Sequence, residues 1–207
     1  MSNLENNSQL KARQMFIITA AKACFSRSGF HGASMSDISR ESGLGAGQLY
    51  RYFNSKELLV NETIKNIVRL WREFLQKSLS LKISIEDIVD TKSTFWQGWS
   101  SQNRCLLIEV YSEASRNKCV RSMLAQEEKL LIKELGMIFQ NKMPATNLQQ
   151  RTNRIDFLLM LIDGVACRSF EDNSMDKAEL TGNDSNLLIV FYVQIMSDDL
   201  VMQLHRF

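Results

Sequence analysis

The chain has 207 residues, a formal net charge of +2, 44% hydrophobic residues and 23% charged residues. That is enough for one large domain or two small ones with a sizeable core, and it excludes a disordered or coiled-coil chain. The small net charge excludes a general nucleic-acid sponge or a polybasic membrane binder, and a single proline points to helices joined by short loops.

Residues 1–10 are polar and hold no run that would serve as a secretory signal, and no stretch of about 18 apolar residues is present to span a bilayer. A cytoplasmic protein without a membrane role is expected. Cys24, Cys105, Cys119 and Cys167 are scattered without a C-x-x-C pair and read as reduced thiols, mostly filling the core. Residues 1–60 carry seven basic and four acidic side chains, net +3, against −1 for the rest of the chain. Five of the nine glycines (Gly29, Gly32, Gly43, Gly45, Gly47) fall within nineteen residues, where the chain must turn repeatedly.

In chain order, a flexible start over residues 1–8 precedes a first helix from Gln9 to Ser28. Its apolar face holds Ile17, Ala20, Ala21, Cys24 and Phe25, and Gly29 ends it. Ser34 and Asp37 have capping-box spacing for a second helix that stops at Gly43. A third covers Gly45 to Phe53, and Asn54 with Glu57 has the spacing to open a fourth that runs to Ser80. Five more follow: Ser84 to Trp99, Arg104 to Arg116, Lys118 to Asn141 (stopped by Pro144), Leu148 to Phe170, and Asn186 to His205. The polar stretch 171–185 joins the last two. No period-2 alternation is present, so the chain is expected to be all-α with about nine helices.

Ser34 to Phe53 sets a capped helix, a bend at Gly43-Leu44-Gly45 and a second short helix in succession, the geometry of a helix-turn-helix. Ile38, Leu44, Leu49 and Phe53 suit the lock between the two helices. Ser36, Gly45, Ala46, Gln48, Tyr50, Arg51 and Tyr52 are left near the outside. The segment resembles the DNA-binding domain of the TetR family of transcriptional regulators. The resemblance runs from Ile17-Ile18-Thr19-Ala20-Ala21 through Cys24-Phe25, Gly29-Phe30, Ser34-Met35-Ser36-Asp37-Ile38 and Gly43-Leu44. It continues through Gly47-Gln48-Leu49-Tyr50-Arg51-Tyr52-Phe53 and ends at Ser55-Lys56-Glu57-Leu58.

The resemblance implies that Gln48 and its neighbours Gly45 and Ala46 meet bases, where an amide suits adenine. It implies that Tyr50, Tyr52 and Lys56 grip phosphates, and that Ser34 caps its helix while meeting a phosphate, with Ser36 and Arg51 in support. The position before Ser34, often threonine in the family, is Ala33. Gly45, Ala46 and Gly47 leave the front of the recognition helix nearly bare, so close backbone approach and shape readout are expected to contribute. A G-x-G-x-x-G nucleotide loop fails because Gln48 stands at its third glycine.

The same resemblance implies a domain boundary at residues 54/55, with a helical ligand-binding and dimerisation body over 55–207. Trp71, Phe74, Phe95, Trp96, Trp99 and Tyr111 lie on helices expected to line a pocket for a small apolar or aromatic effector, although core packing explains each of them equally simply. Arg104, Glu109 and Glu113 would supply polar contacts there or lie at the surface. The final helices are apolar on more than one stripe. Phe157, Leu158, Leu161, Ile162 and Val165, with Leu188, Phe191 and Ile195, are the expected homodimer interface.

Only two histidines, His31 and His205, are present. No metal motif, nucleophile elbow or P-loop appears, so no metal, cofactor or catalytic residue is expected. The expected function is a ligand-relieved repressor that binds a palindromic double-stranded operator as a dimer. A helical ligand-binding or scaffold protein with a degenerate helix-turn-helix is the alternative.

Overall fold

The computed structural model describes residues 2–81, 83–142 and 147–168. Among them every regular element is a helix: α1 (Ser2–Gly32), α2 (Met35–Ser42), α3 (Ala46–Tyr52), α4 (Lys56–Ser80), α5 (Ile85–Val89), α6 (Thr94–Gln97), α7 (Ser101–Arg116), α8 (Lys118–Lys142) and α9 (Leu148–Arg168). The expected loop 171–185 and the helix from Asn186 to His205 lie outside the described residues, and so does Pro144.

α1 begins at Ser2, taking in the residues expected as a flexible start, because no glycine or proline interrupts that polar stretch. At Gly29 the backbone turns to φ 69°, as expected for a helix stop, yet one more turn follows and ends at Gly32. The expected apolar face of α1 is buried throughout, with Ile17, Ala21 and Phe25 at 0% exposure. α2 opens with the expected capping box: the Asp37 N–H donates to Ser34 Oγ at 3.1 Å and the Ser34 N–H donates to Asp37 Oδ2 at 3.0 Å. It closes on Gly43 at φ 66°. Nothing lies within 4 Å of a Cβ built there, so Gly43→Ala adds left-handed strain and no clash. A loss of about 1 kcal/mol is expected, read as a lower urea midpoint.

Two expectations at helix starts and stops are corrected. The cap of α4 is Ser55, whose Oγ accepts the Leu58 N–H at 3.1 Å. Asn54 sits one residue too early, which leaves Glu57 at the second helical position rather than the third. The single helix expected from Ser84 to Trp99 is two short ones. Between them Asp90 Oδ1 accepts the Lys92 N–H at 2.9 Å, the Asp90 carbonyl accepts the Ser93 N–H at 2.9 Å, and the Ser93 hydroxyl donates to the Asp87 carbonyl. Side chains that compete for backbone groups close a turn where periodicity alone continues a helix.

Burial falls into two clusters, and α4 runs through both. The first joins α1, α2, α3 and the start of α4 to Leu106, Val110 and Ala114 of α7 and Val120 of α8. The second joins the rest of α4 to α5, α6, Leu107 of α7, and α8 and α9. Arg72 ties α4 to α8, donating to Glu127 Oε2 at 2.8 Å and to both oxygens of Glu134 at 2.9 Å. The cysteines are free, but Cys24 alone is buried and Cys119 and Cys167 are exposed, which corrects their expected role as core filling.

Candidate nucleic-acid interface and the aromatic cluster of the body

α3 has seven residues, and Leu49 is its one buried side chain. Leu49 shares the first core cluster with Ile38 and Phe53, while Leu44 is half-buried against it. That is the lock the sequence assigns to these four. Gly45, Ala46, Gln48 and Arg51 are exposed, and Tyr50 is 48% exposed. Tyr52 is half-buried and packs on the core. Ser36 is exposed, with its hydroxyl 2.7 Å from that of Ser34. Lys56 is half-buried, and its Nζ donates to the His31 carbonyl at 2.8 Å. The ammonium therefore neutralises the carbonyl end of α1, where a cation is favoured. An open cleft of about 640 Å³ lined by Gln9, Leu10, Ala12, Arg13, Phe16 and Tyr52 adds Arg13 beside Tyr52, a basic residue not singled out from the sequence.

The end of α1 is held by α7. The Phe30 N–H donates to Glu109 Oε2 at 3.1 Å. His31 Nε2 lies 3.2 Å from Glu113 Oε2 and 3.0 Å from Arg116 Nη2. A single ring nitrogen serves one of these at a time: the carboxylate when it carries a proton, the guanidinium when it does not. Burial pushes the Glu113 carboxyl up, but hydrogen bonds from Asn117, His31 and Arg116 outweigh it and leave the group below the ordinary range. Glu109 and Glu113 thus face α1 as clasps rather than a pocket. A Cβ at Gly29 would lie 3.0 Å from Glu109 Oε2, so the small residue admits the carboxylate as well as the turn.

In the body, Trp71, Phe74, Phe95, Trp96 and Trp99 meet as one cluster. Ring centroids are 4.8 Å apart for Trp71 and Trp99, 5.2 Å for Phe74 and Phe95, and 4.9 Å for Phe95 and Trp96. Trp96 Nε1 donates to the Ile88 carbonyl at 2.7 Å and fastens α6 to α5. The Arg104 guanidinium lies over the Trp96 ring, 5.2 Å from its centroid. Tyr111, half-buried on the same core, lies beside Asp163, and its hydroxyl and the Trp71 indole favour the charged form of that carboxyl.

Asp163 went unnoticed as a site residue, although an acid inside the apolar run Leu158–Gly164 is legible. Burial is the main reason its carboxyl is pushed up to about 6, and Glu128 adds to it against the two donors. A pKa raised above the unfolded value of about 3.9 means the folded chain holds a proton the unfolded chain has released. Stability therefore falls as pH rises between about 4 and 6. Asp163→Asn should be more stable than the parent at pH 7.5, by about 2 kcal/mol, and similar at pH 4. Urea unfolding at both pH values measures the difference.

On α9, Phe157, Leu158, Leu161 and Val165 are half-buried, whereas Ile162 is fully buried in the chain's own second core. Ile162 therefore supports the helix from inside instead of lining an interface. Leu188, Phe191 and Ile195 lie outside the described residues. Among the described residues no group of three or more His, Cys, Asp or Glu is placed to hold a metal, and no helix is long and apolar enough to cross a membrane.

Residues 17–63 match the family model described as bacterial regulatory proteins, tetR family. The transcriptional regulator UidR of Escherichia coli K12 is 32% identical over 129 residues, which make up 60% of this chain and 62% of UidR. Among solved structures, Salmonella enterica GusR superposes with a TM-score of 0.58 at 26% identity, over 74% of this chain and 81% of that one. A regulator from Mesorhizobium loti gives 0.61 at 20% identity, over 82% and 90%. Residues 17–63 are thus similar to the DNA-binding domain of the tetR family, and the chain spans less than two thirds of the length of the UidR relative it matches. The tetR match covers α2, α3 and most of the first core, where the helix-turn-helix lies. UidR is named as an HTH-type transcriptional regulator.

Proposed function

We propose that this chain is a sequence-specific DNA-binding transcriptional regulator: a cytoplasmic homodimer that represses from a palindromic operator and is released by a small apolar or aromatic effector. The observation that carries the reading is α3, anchored mainly by the buried Leu49 and leaving Gln48, Tyr50 and Arg51 exposed inside the segment that matches the family model. In this reading residues 1–54 bind DNA and 55–207 form the effector and dimer body. Gln48 reads a base edge. Gly45 and Ala46 allow close approach, and Ser34, Ser36, Tyr50, Arg51, Tyr52 and Lys56 hold the backbone. Half-buried apolar residues of α9 supply part of the dimer face, and a two-fold dimer meets half-sites about 34–36 Å apart or a multiple of that.

The alternative is a ligand-binding or scaffold protein that has lost its DNA role. The bare front of α3 favours it, since Gly45 and Gly47 face open space. Binding to the DNA upstream of the chain's own gene, titrated against salt and an unrelated duplex, separates the two. Saturable binding of two protomers with a specificity ratio of about 10³ or more supports the regulator. Equal, steeply salt-dependent binding to both duplexes supports the alternative. In the same assay Lys56→Ala should weaken binding to every sequence alike and reduce the salt slope by about one. Gln48→Ala should instead flatten base preference at one position of each half-site, and unchanged preference would remove Gln48 from base reading.

A further inference from the structure

The geometry points to a binding site for a small organic cation carrying a hydrogen-bond acceptor, with Trp71, Trp99 and Phe74 as its walls and the Asp163 carboxylate as its counter-ion. This rests on the effector-binding body proposed above and narrows the effector to a charge class that the sequence did not indicate.

Three observations converge. The walls are indole and phenyl faces, with Trp71 against both Phe74 (centroids 5.5 Å apart) and Trp99 (4.8 Å), and indole is the ring that attracts cations most strongly. The same cluster already holds one guanidinium, Arg104 over Trp96, so its faces are suited to positive charge. Asp163 is joined to the walls through Trp71 and Tyr111. Both are neutral donors, and the other charged group acting on it, Glu128, is also an acid. Among the described residues this half-buried carboxylate, with neutral donors and an acidic neighbour, has no compensating cation acting on it. Finally, the Trp99 Nε1–H is buried with no hydrogen-bond partner, in a residue 2% exposed. A buried donor left unmet is unfavourable, and an oxygen on the ligand would satisfy it.

The way in lies at α5 and α6. They have five and four residues, each little more than one turn, and short elements with few backbone hydrogen bonds open at low free energy. Phe74 is the half-buried member of the wall, and its ring edge lies 3.0 Å from where a Gly98 Cβ would stand. The glycine gives that ring room as it moves aside. An anion would meet Asp163 and Glu128 as like charges, and an uncharged apolar ligand would leave Asp163 as it is.

All three tryptophans of the chain, Trp71, Trp96 and Trp99, stand in this cluster, so intrinsic fluorescence reports on it without a label. The probes are (4-methoxyphenyl)trimethylammonium, its uncharged isostere 4-tert-butylanisole, and 4-methoxybenzoate, titrated into the full chain at pH 7.5. The cation is expected to bind at least tenfold more tightly than its isostere, with benzoate weakest. In Asp163→Asn the ratio of cation to isostere should fall to about one. Tyr111→Phe removes a group that favours the charged form of the same carboxylate and should lower the ratio in the same direction.

Equal binding of cation and isostere overturns the cation site but leaves an apolar effector pocket standing. Preference for benzoate overturns it in favour of an anion received by Arg104. A preference for the cation that persists in Asp163→Asn removes Asp163 as counter-ion. Silence toward all three probes also overturns the site, while the DNA titration decides the regulatory reading independently.

Discussion

Leu49→Ala is expected to abolish specific DNA binding and to lower stability by about 2–5 kcal/mol. α3 has seven residues and no side-chain cap, because Gly45 stands at its start. A helix that short has no independent stability in water. Ala46 and Gly47 contribute little surface, Gln48, Tyr50 and Arg51 point outward, and Tyr52 is half-buried. The fully buried Leu49 is therefore the main apolar attachment of α3 to Ile38 and Phe53. Truncation removes that contact and opens a cavity that the flanking turns cannot fill. The damage should be local: tryptophan fluorescence from the body should be unchanged at low urea while the operator titration loses its saturable phase. Global unfolding with simultaneous loss of the tryptophan signal would show that α3 is not an independent unit.

Glu109→Ala is the second large effect. It leaves the Phe30 N–H without its acceptor at a half-buried position, a loss of about 1.5–3 kcal/mol for a bond to a charged group. The turn beyond Gly29, from Phe30 to Gly32, is then held to α7 by polar contacts only through the exposed His31 ring with Glu113 and Arg116, and the His31 carbonyl that fixes Lys56 is loosened. Amide hydrogen exchange should accelerate at Phe30 and His31 well beyond the change at Ile17 or Ala21. Glu109→Gln keeps an oxygen acceptor of the same reach and should restore most of the protection. If both variants exchange alike, charge rather than hydrogen bonding is what holds the junction.

How far the chain was legible depends on how far apart in sequence the partners lie. The Ser34–Asp37 box, the left-handed turn at Gly43 and the apolar stripe of α1 are set within a few residues of each other, and periodicity with cap chemistry recovers them. The cap at Ser55 and the break at Asp90–Ser93 are also local, but there two side chains compete for the same backbone groups and spacing does not rank them. Glu109 and Glu113 meet Phe30 and His31 across 79 and 82 residues. As isolated acids on an exposed-looking stripe they carry no sign of whom they face. Asp163 was readable as an acid in an apolar run; its carboxylate partners, on α4 and α7, were not. The aromatic residues of the body were recovered as a group because their clustering is itself a feature of the sequence. Whether that group is a wall or a filling is a property of what stands beside it.

α4 joins these two regions as one uninterrupted rod. From Lys56, bonded to the end of α1, to Trp71, in the aromatic cluster, is fifteen residues, or about 22 Å at 1.5 Å per residue. A tilt of about 5° about the Trp71 end moves the other end by about 2 Å, an amount comparable with the length of a hydrogen bond. Two such rods in a symmetric pair would double the change in separation. In the DNA-bound dimer proposed above, a displacement too small to disturb either core would then be large enough to put α3 of one protomer out of step with its groove.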